Sequence, residues 1–248
     1  MSGKKNTLVD FFIVGAQKSG TRALASFLKQ SPEVGLSKAG RPEPRYFDTL
    51  NVKIENPDYS RYHAHFTHDS LSRITGDSTP SYIFYPQAIP AIHRYNPDAK
   101  IICILRDPTE RAYSQWNMQV GMGKESRSFI EALKNEATYC RKNELHRNYS
   151  YVRRGLYHRQ ILHVFDVFPR DQCLILRNEE LRHNHYKTMN DVFRFLNVKQ
   201  VEIPAQEIVH SRRYPPPPAS ADRALKRFFR KDIEDLEKLL GWDCSAWK

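Results

Sequence analysis

The stretch Leu8-Val9-Asp10-Phe11-Phe12-Ile13-Val14-Gly15-Ala16-Gln17-Lys18-Ser19-Gly20-Thr21-Arg22-Ala23-Leu24 decides the fold. Its apolar run up to Val14 reads as a strand of a parallel sheet buried on both faces. Gly15 to Gly20 is a tight turn of small residues carrying one cation, Lys18. From Thr21 onward Leu24, Phe27 and Leu28 fall on one face of a helix. Strand, glycine turn and helix start form a geometry that holds phosphate. Backbone N–H groups and the positive helix end point at the anion, and Lys18 adds a full charge. The spacing is not that of a Walker A loop, which places Gly-Lys-Ser/Thr after four free positions. Lys18 instead precedes Gly20. An ordinary glycine turn between a core strand and a helix reads the same way, so the rest of the chain has to decide.

The clearest second strand is Lys100-Ile101-Ile102-Cys103-Ile104-Leu105, which runs straight into Arg106-Asp107-Pro108-Thr109-Glu110. Asp107 suits the N-cap, Pro108 the first helical position, and Glu110 completes a capping box. Arg106 therefore sits at a strand end beside a fresh helix N-terminus, with Ser114 two turns into that helix. A second anion site follows; a capped helix with an incidental arginine is the alternative. Between the two junctions, Val34–Leu36 and Arg73–Asp77 read as short strands, and Asp58–Phe66 and Gln87–Tyr95 as helices. Beyond them come a helix opened by the Ser128–Glu131 capping box and an amphipathic helix from Gly155 to Phe168. The latter's apolar face is assigned to Leu156, Ile161, Leu162, Phe165 and Phe168. A buried strand Cys173–Leu176 follows, then a helix Tyr186–Leu196. A last helix runs from Ser220 to Leu240, with a stripe of Ala224, Leu225, Phe228, Ile233, Leu236 and Leu239.

Strands alternating with helices predict an α/β domain, a P-loop-like three-layer sandwich with a central parallel sheet between helices. A length of 248 residues suits one domain over positions 1–248, and 40% hydrophobic with 12% aromatic residues excludes a disordered chain. The net charge of +11 favours anionic partners. No apolar segment reaches the length of a membrane span, and the polar start Met-Ser-Gly-Lys-Lys-Asn has no signal-peptide pattern. Cys103, Cys140, Cys173 and Cys244 form no C-x-x-C pair. Reduced thiols in a cytoplasmic protein are the expectation. Glu43 lies between Pro42 and Pro44, which restrain its backbone. It reads either as a positioned base or as a solvated loop acid. His63, His65 and His68 lack the spacing and companions of a metal shell and are expected to be solvated or to line a cleft.

Two anion sites on two strand–helix junctions suggest a ligand with two separate phosphates. Gly15-Ala16-Gln17-Lys18-Ser19-Gly20-Thr21-Arg22-Ala23-Leu24 resembles the 5′-phosphosulfate loop of sulfotransferases. Ile104-Leu105-Arg106-Asp107-Pro108 through Ser114 resembles their 3′-phosphate motif, and Glu43-Pro44-Arg45-Tyr46-Phe47 the segment carrying their catalytic glutamate. Gly155-Leu156-Tyr157 and Ser211-Arg212-Arg213-Tyr214-Pro215 resemble later nucleotide-contacting segments. Order and spacing are most similar to the heparan-sulfate-type branch, whose members include N-deacetylase/N-sulfotransferases and 3-O-sulfotransferases. The resemblance implies transfer of a sulfuryl group from 3′-phosphoadenosine 5′-phosphosulfate (PAPS) to an acceptor hydroxyl, less readily an amine, without a metal. It assigns the donor to Gln17, Lys18, Ser19, Gly20, Thr21, Arg22, Arg106, Ser114, Tyr157, Ser211, Arg212 and Arg213. Glu43 becomes the general base, and Lys18 stabilises the leaving nucleotide, adenosine 3′,5′-bisphosphate.

Arg45 stands where heparan-type enzymes often carry histidine, Ser78 where they often carry lysine, and their cysteine-containing C-terminal loop is missing. These departures touch the acceptor side and leave the acceptor's class open among glycans, small molecules, lipids and carrier-bound groups, as they leave the oligomeric state. Two other readings compete. A small-molecule P-loop kinase would need Gly-Lys-Ser/Thr and a magnesium aspartate, for which Asp77 is the candidate. A non-catalytic binder of polyanions or nucleic acid would gather its cations on one face. Here they are scattered apart from Arg141–Arg154, so no nucleic-acid partner is expected.

Overall fold

The computed structural model describes residues 8–37, 43–49, 57–66, 72–141, 146–204 and 215–248, the side chains at 139–141 excepted. Five parallel strands form one sheet in the order β2-β3-β1-β4-β5. They are β1 (Phe11–Gly15), β2 (Val34–Leu36), β3 (Ile74–Ser78), β4 (Lys100–Leu105) and β5 (Cys173–Arg177). The helices of the first half are α1 (Thr21–Leu28), α2 (Tyr46–Thr49), α3 (Ser60–His63), α4 (Ala88–Tyr95) and α5 (Pro108–Gly121). The second half contributes α6 (Phe129–Arg141), α7 (Tyr157–Val167), α8 (Asn178–His183), α9 (His185–Leu196) and α10 (Ala219–Leu240).

Side-chain alternation along the two central strands sorts the core into two layers. Phe12, Val14, Ile101, Cys103 and Leu105 join the layer that holds Ile92, Ala112, Ile161 and Phe229 of α4, α5, α7 and α10. Phe11, Ile13, Ile102 and Ile104 join Leu24 and Leu28 of α1 and Val192 and Phe193 of α9. The three-layer α/β sandwich expected from the sequence is thus the observed one. Gly76 of β3 pairs with Phe11 of β1, whose ring covers it. A Cβ at position 76 would sit 2.1 Å from Phe11 Cζ, so only glycine fits there. Cys103, Cys173 and Cys244 are free thiols, as expected.

Several expectations need correction. β5 is an edge strand in which only Leu176 is buried, so the run Cys173–Leu176 is half-covered, not a buried strand. In α7 the buried row is Tyr157, Ile161 and Val164, while Leu162 is 40% exposed. In α10 the buried row is Ala221, Leu225, Phe229, Ile233 and Leu236, and Phe228 is 55% exposed. Both errors are one residue of helical phase. Adjacent apolar residues lie about 100° apart around the axis, and tertiary packing chooses between them. The N-terminus of α7 has no cap from its own sequence. Asp232 of α10 reaches across instead, accepting from Tyr157 N at 2.7 Å and His158 N at 3.2 Å.

Candidate active site

β1 and β4 are adjacent, yet the chain leaves β1 toward β2 and leaves β4 toward β5. The strand order reverses between them, and ligands of open α/β sheets bind outside the strand ends at such a point. The loop Ala16–Gly20 and the segment Arg106–Asp107 flank this crevice. Lys18 and Gly20 both take left-handed backbone conformations (φ 73° and 102°), which curl the loop. Gly20 is the N-cap of α1, whose first N–H groups have no side-chain cap. Two distant residues hold the loop's carbonyls on its outer side. Asn178 Nδ2 donates to Ser19 O at 2.8 Å, and Arg111 Nη1 to Gln17 O at 3.4 Å. Asn178 also crowds Gly20, where a Cβ would lie 2.5 Å from its Nδ2. Ser19 and Thr21 are buried, Gln17 and Lys18 half-buried, and Arg22 exposed.

At the second junction Asp107 caps α5, Oδ1 accepting from Thr109 N at 2.7 Å and Glu110 N at 3.1 Å. The capping box is only half formed. Glu110 pairs with Arg106 at 2.6 Å instead of returning to the Asp107 amide, because a full cation four residues away outcompetes a neutral N–H. Arg106 is held by that pair, and its carbonyl accepts from the Tyr157 hydroxyl at 2.9 Å. Tyr157 itself is fully buried, so it supports Arg106 from behind. Ser114 is buried on α5. The Thr109 hydroxyl, five residues earlier on this helix, is buried and has no hydrogen-bond partner among the described residues. Ser211, Arg212 and Arg213 lie outside the described residues.

Glu43 enters from the loop before α2. The cations acting on its carboxyl are Arg45, Arg22 at the start of α1, and Arg147. The base candidate and the phosphate loop therefore share one electrostatic neighbourhood. Glu43 is an exposed residue, yet desolvation of its carboxyl by the surrounding protein outweighs these cations and holds it above the usual carboxylate range. Arg45 folds back onto Asp48 at 2.7 Å, and the Ser81 hydroxyl donates to the same oxygen at 2.7 Å. His63 is half-buried. Its Nε2 lies 2.9 Å from the Tyr95 hydroxyl within a cluster of aromatic rings. His68 lies outside the described residues.

A further carboxylate, Asp77, which the sequence offers only as a kinase's magnesium ligand, acts in the electrostatic neighbourhood of Glu43. Asp77, at the end of β3, is fully buried. It accepts from Thr79 Oγ1 at 2.6 Å, Tyr82 Oη at 2.8 Å and Tyr62 Oη at 3.0 Å. Three hydroxyl donors and complete burial leave it no face toward a magnesium–phosphate ligand, the role a kinase would give it. Burial pushes its pKa up to about 6, against the three hydrogen bonds. The folded protein therefore binds this proton more tightly than the unfolded chain. The stabilisation is full below pH about 4 and is lost as pH rises through 6. Wild type is expected to lose about 3 kcal/mol more than Asp77→Asn between these limits, as read from urea midpoints at each pH.

The chain belongs to the sulfotransferase family: the sulfotransferase domain matches residues 8–216. Among curated relatives, heparan sulfate glucosamine 3-O-sulfotransferase 6 of Homo sapiens is 30% identical over 189 residues, covering 76% of this chain and 52% of the relative. Carbohydrate sulfotransferase 15 of Homo sapiens is 27% identical over 307 residues, covering 97% of this chain and 55% of the relative. The chain thus spans about half the length of the curated relatives it matches. The crystal structure of a sulfotransferase from Alicyclobacillus acidocaldarius superposes with a TM-score of 0.81 at 29% identity, covering 96% of this chain and 98% of that one. The mouse sulfotransferase SULT7A1 complexed with PAP shares the fold at 18% identity and a TM-score of 0.52, covering 78% and 60%. Among the described residues no helix is long and apolar enough to cross a membrane.

Proposed function

We propose that this chain transfers the sulfuryl group of PAPS to a hydroxyl of a carbohydrate acceptor. The observation that carries the reading is the pairing of two strand–helix junctions across the β1/β4 reversal, with Glu43 in the electrostatic field of Arg22 beside one of them. A donor charged at both its 5′ and 3′ ends needs two cationic, helix-capped sites at separate places. The Thr109 hydroxyl, three residues after Arg106 and without a partner among the described residues, fits an anion at the second of them. Relatives whose names specify glucosamine and carbohydrate favour a sugar hydroxyl.

In this mechanism the loop N–H groups and Lys18 hold the phosphosulfate end, and Arg106, with Thr109 and Ser114 on α5, holds the 3′-phosphate. Arg22 contributes at the start of α1, and Ser211 to Arg213 from the C-terminal side. Glu43 takes the proton of the acceptor hydroxyl as that oxygen attacks sulfur. Lys18 stabilises the negative charge developing on the bridging oxygen of the departing nucleotide, as cations do in phosphoryl transfer. The chemistry is supplied by the donor's sulfate–phosphate bond; no residue forms a covalent intermediate. Incubation with sulfur-labelled PAPS and a panel of glycans, phenols, lipids and acyl carriers tests this. Label is expected on a glycan hydroxyl. Phosphoryl transfer from ATP to any of them, with no transfer from PAPS, would overturn it.

A further inference from the structure

We infer that Asp77 is a positioning residue for Glu43, acting through two hydroxyls that grip the backbone just after the catalytic carboxylate. This rests on the proposed sulfuryl transfer and adds a residue to it. Among the described residues no hydrogen bond joins Asp77 to Glu43's loop directly. Its three partners carry the connection. Thr79 Oγ1, which donates to Asp77 Oδ1 at 2.6 Å, accepts from Arg45 N at 3.4 Å. Tyr82 Oη, which donates to Asp77 Oδ2 at 2.8 Å, accepts from Tyr46 N at 3.1 Å. Pro44 has no N–H, so Arg45 and Tyr46 offer the first two backbone donors after Glu43. Both end on hydroxyls whose protons are committed to one buried carboxylate. The third donor, Tyr62 Oη at 3.0 Å, ties the same carboxylate to α3.

The charge on Asp77 sets the polarity of the network. An acceptor-only carboxylate forces Thr79 and Tyr82 to turn their protons inward, and their lone pairs then face the loop. An amide at position 77 would present N–H groups to one of these hydroxyls. That hydroxyl would have to reverse, and its proton would face the Arg45 or Tyr46 N–H. The loop would lose an anchor although no side chain in the crevice had changed. Misplacement of a reacting group by about 1 Å costs as much as 10²-fold in rate.

The groups facing Asp77 are Tyr62 of α3, Tyr82, Thr79, Tyr95 of α4, and Glu43, with Phe12 beside it in the sheet register. Among the described residues, Glu43 is the carboxylate that acts on Asp77, and its charge raises the Asp77 pKa.

The test combines kinetics with amide exchange on the full chain. Asp77→Asn is expected to lower kcat about tenfold to a hundredfold and to leave the affinity for adenosine 3′,5′-bisphosphate within about twofold. Thr79→Val and Tyr82→Phe each cut one bridge and are expected to lower kcat less; they decide the matter if Asp77→Asn does not fold. In all three variants the Arg45 or Tyr46 amide should exchange faster while the β4 amides stay protected. Wild-type kcat in Asp77→Asn would overturn the inference. Nucleotide affinity falling in parallel with kcat would overturn it too, as the mark of a general structural role. Amide exchange does not depend on the reaction: unchanged exchange at both residues refutes the positioning even if no sulfuryl transfer is found, and faster exchange supports it.

Discussion

Glu43→Gln is expected to lower turnover at saturating donor about 10²–10⁴-fold and to leave nucleotide affinity nearly unchanged. Glutamine keeps the length and shape of the side chain but cannot take a proton. The structure places the group beside the charges of Arg45, Arg22 and Arg147, yet desolvation dominates and raises its pKa. A raised value brings the base nearer to working pH, where general bases are most effective. The sign for activity follows. The base must be ionised, so turnover is full above its pKa and falls as pH drops through it, above the range of an ordinary carboxylate. Steady-state kinetics at several pH values read both features. Retention of more than about a tenth of wild-type turnover would remove Glu43 from the role of base.

Lys18→Ala is expected to damage both binding and turnover, which separates it from Glu43→Gln. Lys18 sits in the curled loop at φ 73°, between a buried strand end and the N-terminus of α1. In the proposed mechanism its charge meets the phosphosulfate in the ground state and the leaving oxygen as the bond breaks. Loss of a group that stabilises developing charge costs about 10²–10³ in kcat, and the weakened ground-state contact raises the donor KM as well. Initial rates over a donor series measure the two effects. A variant altered in KM alone would show that Lys18 only holds the donor.

The parts of this architecture that rest on local chemistry were legible in the sequence. The apolar runs of β1 and β4 and the start of α1 stand close to where the pattern placed them, and Asp107 caps α5 as its position predicted. Glu110 was misread because two partners lie within its reach, and the sequence does not rank the Arg106 cation above the Asp107 amide. The phases of α7 and α10 depend on which side of two adjacent apolar residues the rest of the fold covers, and that information is not local. The supports of the site were out of reach for the same reason. Asn178 and Arg111 act on backbone carbonyls 159 and 94 residues away. Asp77 takes two hydroxyls from the segment that directly follows it and a third from Tyr62 of α3, 15 residues earlier. One signal was present for Asn178: it opens a helix directly after a strand, the pattern that singled out the other two junctions.

The central claim is that the crevice between β1 and β4 holds a nucleotide by two phosphates at once. Calorimetric titration of adenosine 3′,5′-bisphosphate against 5′-AMP, both without magnesium, tests it most directly. A charge-assisted contact to the 3′-phosphate contributes about 1.5–3 kcal/mol. The bisphosphate should therefore bind roughly tenfold to a hundredfold more tightly, and Arg106→Ala should erase most of that difference. Equal affinities for the two nucleotides, or a strict requirement for magnesium, would contradict it.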